Sequence, residues 1–191
     1  FDKAFGKNTN YRLIIKAREF PIHITNPNIE VITGDMSDDE LVTLYHKSHA
    51  MIAANCGEGF GFLPREFAAT GGVALATEFG GTADAIRHWG VPLPYSMTNA
   101  WPQHPRWSDG RMGQWADPDI DGIADLLAHI ANHYEPYADF GIRAAGYVMA
   151  NYRWSLYAKR LASLWQSITM EQSDGSNGSG EKAPVAATGG E

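Results

Sequence analysis

A five-residue apolar run, Ala50-Met51-Ile52-Ala53-Ala54, leads straight into Asn55-Cys-Gly-Glu-Gly-Phe-Gly-Phe-Leu-Pro-Arg-Glu66, with glycine at 57, 59 and 61. A short apolar run bounded by turn residues reads as a strand buried on both faces. Glu66-Phe-Ala-Ala-Thr70 then predicts a helix closed by Gly71-Gly72, with Pro64 in a first turn where its missing N–H is not needed. Strand, glycine-rich turn and helix in this order leave few folds open. The glycines let backbone approach a ligand without side chains in the way. Free N–H groups and the positive end of the helix dipole favour an anion such as a phosphate. With Glu58 in the turn and Glu66 in the first helical turn, both carboxylates can point into one cavity. A phosphate cradle flanked by two hydroxyl-accepting carboxylates suits a nucleotide-sugar.

The remaining chain alternates in the same way. Strands are predicted at 11–17, 29–33, 73–77 and 91–95. A helix follows Ser37, whose spacing to Glu40 is that of a capping box, with Leu41, Leu44, Tyr45 and Ser48 on its buried side. Gly80-Gly81 makes a tight turn before a short helix at 82–89. Residues 96–116 read as one long loop, made an ordered one by Trp101, Trp107 and Trp115. Asp117-Pro118 starts a helix carrying Ile120, Ile123, Ala124, Leu127 and Ile130 at helical spacing. Two more helices are predicted at 137–151 and 155–168, the second with Leu161, Leu164, Trp165 and Ile168 on one face. The fold class is therefore α/β, a Rossmann-like parallel sheet with helices on both faces and a helical C-terminal segment. Residues 1–170 form that domain; 171–191, rich in Ser, Gly, Glu and Ala, are expected as a disordered tail.

Glu58-Gly-Phe-Gly-Phe-Leu-Pro-Arg-Glu66 resembles the signature of two glutamates with seven residues between them in family 4 retaining glycosyltransferases, which lies in the nucleotide-binding half of their GT-B fold. Ser37-Asp-Asp-Glu-Leu-Val-Thr-Leu-Tyr45, Glu78-Phe-Gly-Gly-Thr-Ala-Asp-Ala-Ile86, Trp115-Ala-Asp-Pro-Asp119 and Tyr152-Arg-Trp-Ser155 look like further landmarks of the family, in its order. The resemblance spans residues 11–166. It implies transfer of a hexosyl group from a UDP- or GDP-sugar to a hydroxyl acceptor, with retention at the anomeric carbon. Against the family's pattern the chain begins after the first strand of this half, with its diphosphate-clamping Arg and Lys, would have ended, and the N-terminal acceptor domain is missing. Opening on Phe1 without an initiator methionine, the chain reads as a fragment. A chain of this extent is expected to bind donor weakly and transfer little or nothing alone. The sheet edge exposed by a missing strand would promote pairing of copies into a homo-oligomer.

Each candidate residue has a chemical reading and a plainer one. Glu58 is the catalytic candidate, a carboxylate contacting the transferred sugar as its counterpart does in the family; otherwise it faces solvent. Glu66 accepts ribose hydroxyls, or merely complements the helix dipole. Gly59, Phe60, Gly61 and Phe62 offer backbone N–H groups to the donor, the two rings being packing residues rather than stacking platforms. Gly80 and Gly81 line the far side of the cleft. Lys16, at the carboxyl end of a strand, neutralises phosphate or is simply an exposed strand-end lysine.

Composition excludes several other classes. Hydrophobic content of 44%, charged content of 19% and a net charge of −7 describe a globular chain without the basic footprint of a nucleic-acid binder. One cysteine rules out an internal disulfide and fits a reducing compartment, so a cytoplasmic setting, free or at a membrane surface, is expected. No apolar run approaches the roughly 18 residues of a membrane span. Of seven histidines only His129 and His133 have helical i, i+4 spacing, which reads as a solvated helix face; Cys56 reads as a small buried residue. Asp109, Asp117, Asp119 and Asp121 match no calcium loop. No metal and no cofactor are expected, the nucleotide-sugar being a substrate. Two rival readings are a non-catalytic nucleotide-binding or assembly module and an NAD-dependent oxidoreductase domain. The second expects Gly-x-Gly-x-x-Gly after the first strand, whereas here residue 62 is Phe and other strands come before.

Overall fold

The structure, a computed structural model, describes residues 1–18, 23–101 and 109–176, and divides into two units, Phe1–Ala150 and Asn151–Glu191. The first unit opens with the one-turn helix α1, Asp2–Phe5, followed by strands β1, Leu13–Lys16, and β2, Ile29–Ile32. These two pair in parallel, Leu13 opposite Ile29 and Lys16 opposite Ile32. Helix α2, Asp38–His46, begins with the expected capping box: the Ser37 N–H donates to Glu40 Oε2 at 2.8 Å, and the Glu40 N–H donates to Ser37 Oγ at 3.3 Å. The Ser37 backbone N–H, and then its hydroxyl, hold the Glu40 carboxyl below its ordinary pKa.

Next come β3, Ala50–Ala53, helix α3, Phe62–Ala69, and β4, Val73–Thr77. A 3-10 turn at Gly80–Thr82 precedes the short helix α4, Ile86–Trp89, and β5, Val91–Leu93. The single helix expected at 82–89 is thus broken, at Ala85, which takes a left-handed φ of 56°. Strands β3, β4 and β5 form a parallel ladder with β4 in the middle. All five residues of β4 are buried, as expected of a central strand. Strand β3, at the edge of this ladder, is only partly buried with Ile52 exposed, and is not the strand buried on both faces that its apolar run predicts. The parallel strands form two ladders, β1–β2 and β3–β4–β5, among the described residues.

The region read as one loop from 96 to 116 contains antiparallel pairing instead. Strand β6, Tyr95–Asn99, pairs with β7, Gln114–Pro118, with Tyr95 opposite Pro118 and Asn99 opposite Gln114. Asp117-Pro118 therefore ends a strand, and helix α5, Ile120–Asn132, starts from Asp119, whose carboxylate accepts from the N–H groups of Asp121 and Gly122 at 3.1 Å each. Trp107 and His104 lie outside the described residues. Helix α6, Tyr134–Asn151, follows α5 almost directly and carries Pro136 in its first turn, where proline is tolerated.

The core sits between the sheet and α5. Val73, Leu75 and Leu93 meet Ile123, Leu127 and Ile130, with Ala4, Phe5, Ala50 and Tyr134 packed around them. The 3.6-residue period of α5 places these side chains on one face. Helix α3 contacts β4, burying Phe67 and Ala68. In the second unit helix α7 runs over Trp154–Ser176, six residues into the stretch expected as tail. Its Leu161, Leu164, Trp165 and Ile168 are exposed. Residues 177–191 lie outside the described residues. The architecture is α/β and Rossmann-like, with a helical C-terminal segment. Among the described residues no helix is long and apolar enough to cross a membrane.

Candidate functional site

Strand β3 delivers the chain into the glycine-rich turn, and α3 takes it away. Gly61 is the residue before α3, in the left-handed region at φ 76°, and a Cβ there would lie 2.6 Å from Thr82 Cγ2. No side chain caps this end of α3. A Cβ at Gly57 or Gly59 would meet nothing within 4 Å, so this side of the turn is open. Glu58 is half-buried, and its carboxylate is held in place: Asn55 Nδ2 donates to Oε2 at 3.1 Å and the Gly59 N–H donates to Oε1 at 3.2 Å. Asn55 went unnoticed in the sequence; its signal is an amide side chain three residues before an acid within a glycine-rich turn.

The turn after β4 closes on the first one, backbone to backbone. The Gly81 N–H donates to the Glu58 carbonyl at 2.6 Å. A Cβ at Gly80 would lie 2.8 Å from that carbonyl oxygen, and one at Gly81 would overlap the Gly59 carbonyl. Buried Thr82 fixes this second turn by donating its hydroxyl to the carbonyls of Thr77 and Phe79. The hairpin borders both turns. The Ala116 N–H donates to the Cys56 carbonyl at 3.0 Å, and the Tyr95 hydroxyl donates to the Glu78 carbonyl at 3.1 Å. Cys56 is half-buried, not buried as expected. Trp101 and Trp115 pack against each other at 5.3 Å between ring centroids.

Arg65 is the second residue that sequence reading passed over. It stands in α3 between the two turns and is 2% exposed. Nη2 donates to the carbonyls of Gly81 at 2.9 Å and Asp84 at 3.2 Å. Its guanidinium lies over the rings of Phe60 and Trp89, 4.3 and 4.5 Å from their centroids. Phe60 also meets the more exposed Phe62, at 4.7 Å between centroids.

Glu58, Gly59, Phe60, Gly61, Gly80 and Gly81 are therefore brought together. Glu66 stands apart from the first helical turn: α3 begins at Phe62, so Glu66 is exposed in the second turn, beyond the strong reach of the helix dipole. It stands near the buried Tyr45 hydroxyl, whose pKa is pushed up to about 12, by burial first and by the Glu66 charge second. Lys16 is half-buried at the carboxyl end of β1, its ammonium bonded to the carbonyls of Ala17 and Gly34. His129 and His133 are exposed and stack on each other. Among the described residues no group of three or more His, Cys, Asp and Glu side chains is placed to hold a metal ion.

No protein-family model matches the chain, and no curated protein matches it. Solved structures do. The fold is similar to that of sucrose-phosphate synthase from Thermosynechococcus elongatus, with a TM-score of 0.62 and 14% identity over 89% of this chain and 42% of that one. It is also similar to a glycosyltransferase from Rickettsia africae ESF-5, with a TM-score of 0.53 and 16% identity over 75% of this chain and 32% of that one. The chain thus spans less than half the length of either protein. At such identities the likeness is one of fold, and the fold is that of one half of a GT-B glycosyltransferase.

Proposed function

We propose that this chain is the donor-binding part of a family 4 type retaining glycosyltransferase, taking a UDP- or GDP-sugar as donor and a hydroxyl compound as acceptor. The observation that carries the reading is the oriented Glu58 carboxylate beside an open glycine turn that leads into an uncapped helix. A carboxylate has about four lone-pair sites. Asn55 and Gly59 occupy two, which leaves acceptors for sugar hydroxyls. The diphosphate would lie against Gly57, Gly59 and the first amides of α3, where negative charge is favoured. As the bond from the anomeric carbon to the diphosphate breaks, the sugar gains positive and the leaving group negative charge. Amides fixed before the reaction stabilise that charge without reorganising. Glu66 would accept from the ribose hydroxyls, and Lys16 would add positive charge near the phosphates. The acceptor site, and full activity, belong to a further domain that closes over this one, so transfer by this chain alone is weak or nil. The reaction uses no metal or other cofactor.

A thermal-shift panel of UDP, GDP, UDP-glucose, GDP-mannose and NADH tests the reading. Nucleotide-sugars should raise the melting temperature and NADH should not. Glu58→Ala should remove the increment that the sugar adds over the nucleoside diphosphate, and Glu66→Ala should weaken both. Equal shifts in wild type and both variants would instead identify a non-catalytic binding module.

A further inference from the structure

Arg65 is charged, yet almost wholly enclosed. Buried cations persist where hydrogen bonds and ring faces replace water. Here those replacements come from both sides of the candidate site. Phe60 belongs to the first turn, while the Gly81 and Asp84 carbonyls belong to the second. Trp89, itself fully buried, offers a second ring to the guanidinium and donates its indole N–H to the same Asp84 carbonyl at 3.1 Å. Gly81 is consequently clamped at both its polar groups: its carbonyl accepts from Arg65, and its N–H donates to the Glu58 carbonyl.

We infer that Arg65 is a positioning residue for the donor site. It sets the second turn against the first and, through Gly81, fixes the backbone from which the Glu58 carboxylate projects. Its functional consequence rests on the donor-site reading above; its mechanical role does not. The planar guanidinium suits the task because one group lies over two rings while its Nη2 donates to two carbonyls. A lysine keeps the charge but lacks that plane and fork. A methionine keeps the bulk and loses the donors.

Amide and indole hydrogen exchange in the wild type, Arg65→Lys and Arg65→Met measures the mechanical role. Losing two charge-assisted bonds should speed exchange of the Gly81 amide and the Trp89 indole by about tenfold or more in Arg65→Met, and by less in Arg65→Lys. Leu75, in the middle of β4, should keep its protection. Unchanged Gly81 exchange in a folded Arg65→Met overturns the inference, since Arg65 would then be filling space. If that variant fails to fold, judged by near-ultraviolet circular dichroism, the wild type decides: scalar coupling from Arg65 Nη2 to the Gly81 carbonyl carbon supports the inference and its absence overturns it. Titration with UDP-glucose and GDP-mannose then reads the consequence. About tenfold weaker binding by Arg65→Met, with Arg65→Lys between, supports it; equal binding by loosened and intact turns overturns that part. A wild type that binds no nucleotide-sugar sinks the donor-site reading and leaves the exchange result to judge Arg65 alone.

Discussion

The N–H of Gly81 points at the carbonyl of Glu58 at 2.6 Å, and Gly81 has no room for a Cβ because the Gly59 carbonyl occupies its place. Two turns separated by a helix and a strand are thereby packed backbone on backbone. Gly81→Ala must push them apart, at a cost of about 1–3 kcal/mol or more by urea unfolding. Gly59→Ala has open space and should change stability little, within about 0.5 kcal/mol. If the open side of the turn receives the diphosphate, that same methyl should still weaken UDP and GDP binding.

Asn55 holds one oxygen of Glu58 and the Gly59 amide the other. Asn55→Ala removes the side-chain half of this support at a partly exposed position, so the fold should lose no more than about 1 kcal/mol. The proposed sugar contact should suffer more. Calorimetric titration is expected to show nucleotide-sugar binding weakened by about threefold to tenfold, with the nucleoside diphosphate unaffected. Equal loss for both ligands would mean that Asn55 supports the turn as a whole.

Tyr45 and Glu66 make a pH-dependent pair. The tyrosine is neutral when protonated, and the fold raises its pKa from 10.0 to about 12, through burial and then through the Glu66 carboxylate. A raised pKa means that the unfolded chain gives up this proton first. The stabilisation is present in full below pH 10, declines as pH rises past it, and is lost through pH 12. Carbon-13 labelling of the tyrosine rings should find Tyr45 titrating above the ordinary range. Glu66→Gln should lower that titration while leaving the part due to burial, and Tyr45→Phe should flatten the alkaline limb of the stability curve. An unchanged titration in Glu66→Gln would mean that the two groups do not interact.

Phe67 is 1% exposed and meets the Tyr45 ring edge-on at 5.5 Å between centroids. Phe67→Ala should cost about 3–5 kcal/mol in denaturant unfolding, the range for a buried aromatic. The loss should appear as lower global stability with little loss of nucleotide affinity at temperatures where the variant stays folded. A large affinity loss in the folded variant would show that α3 moves when its anchor is removed.

Local chemistry made much of this protein legible before any coordinates. The strands at 50–53 and 73–77, the capping box of Ser37 and Glu40 and the period of α5 depend on near neighbours in sequence, and the structure keeps all of them as elements, though β3 is only partly buried where burial on both faces was expected. The β6–β7 hairpin was invisible because nine of its ten positions are exposed or only partly buried, with no apolar alternation to follow; Ala116 alone is fully buried. The start of α3 at Phe62 depends on Gly61 taking a left-handed conformation, which composition permits but does not demand. The clamp of Arg65 on Gly81 and Asp84, and of Gly81 on Glu58, joins residues 16–23 positions apart. Sequence by itself determined the strands at 29–32, 50–53 and 73–77, the capped start of α2 and the apolar face of α5, because those choices are settled within a few residues. Only the tertiary structure decided which turn faces which and where a buried charge finds its partners, because long-range packing brings those backbone groups together.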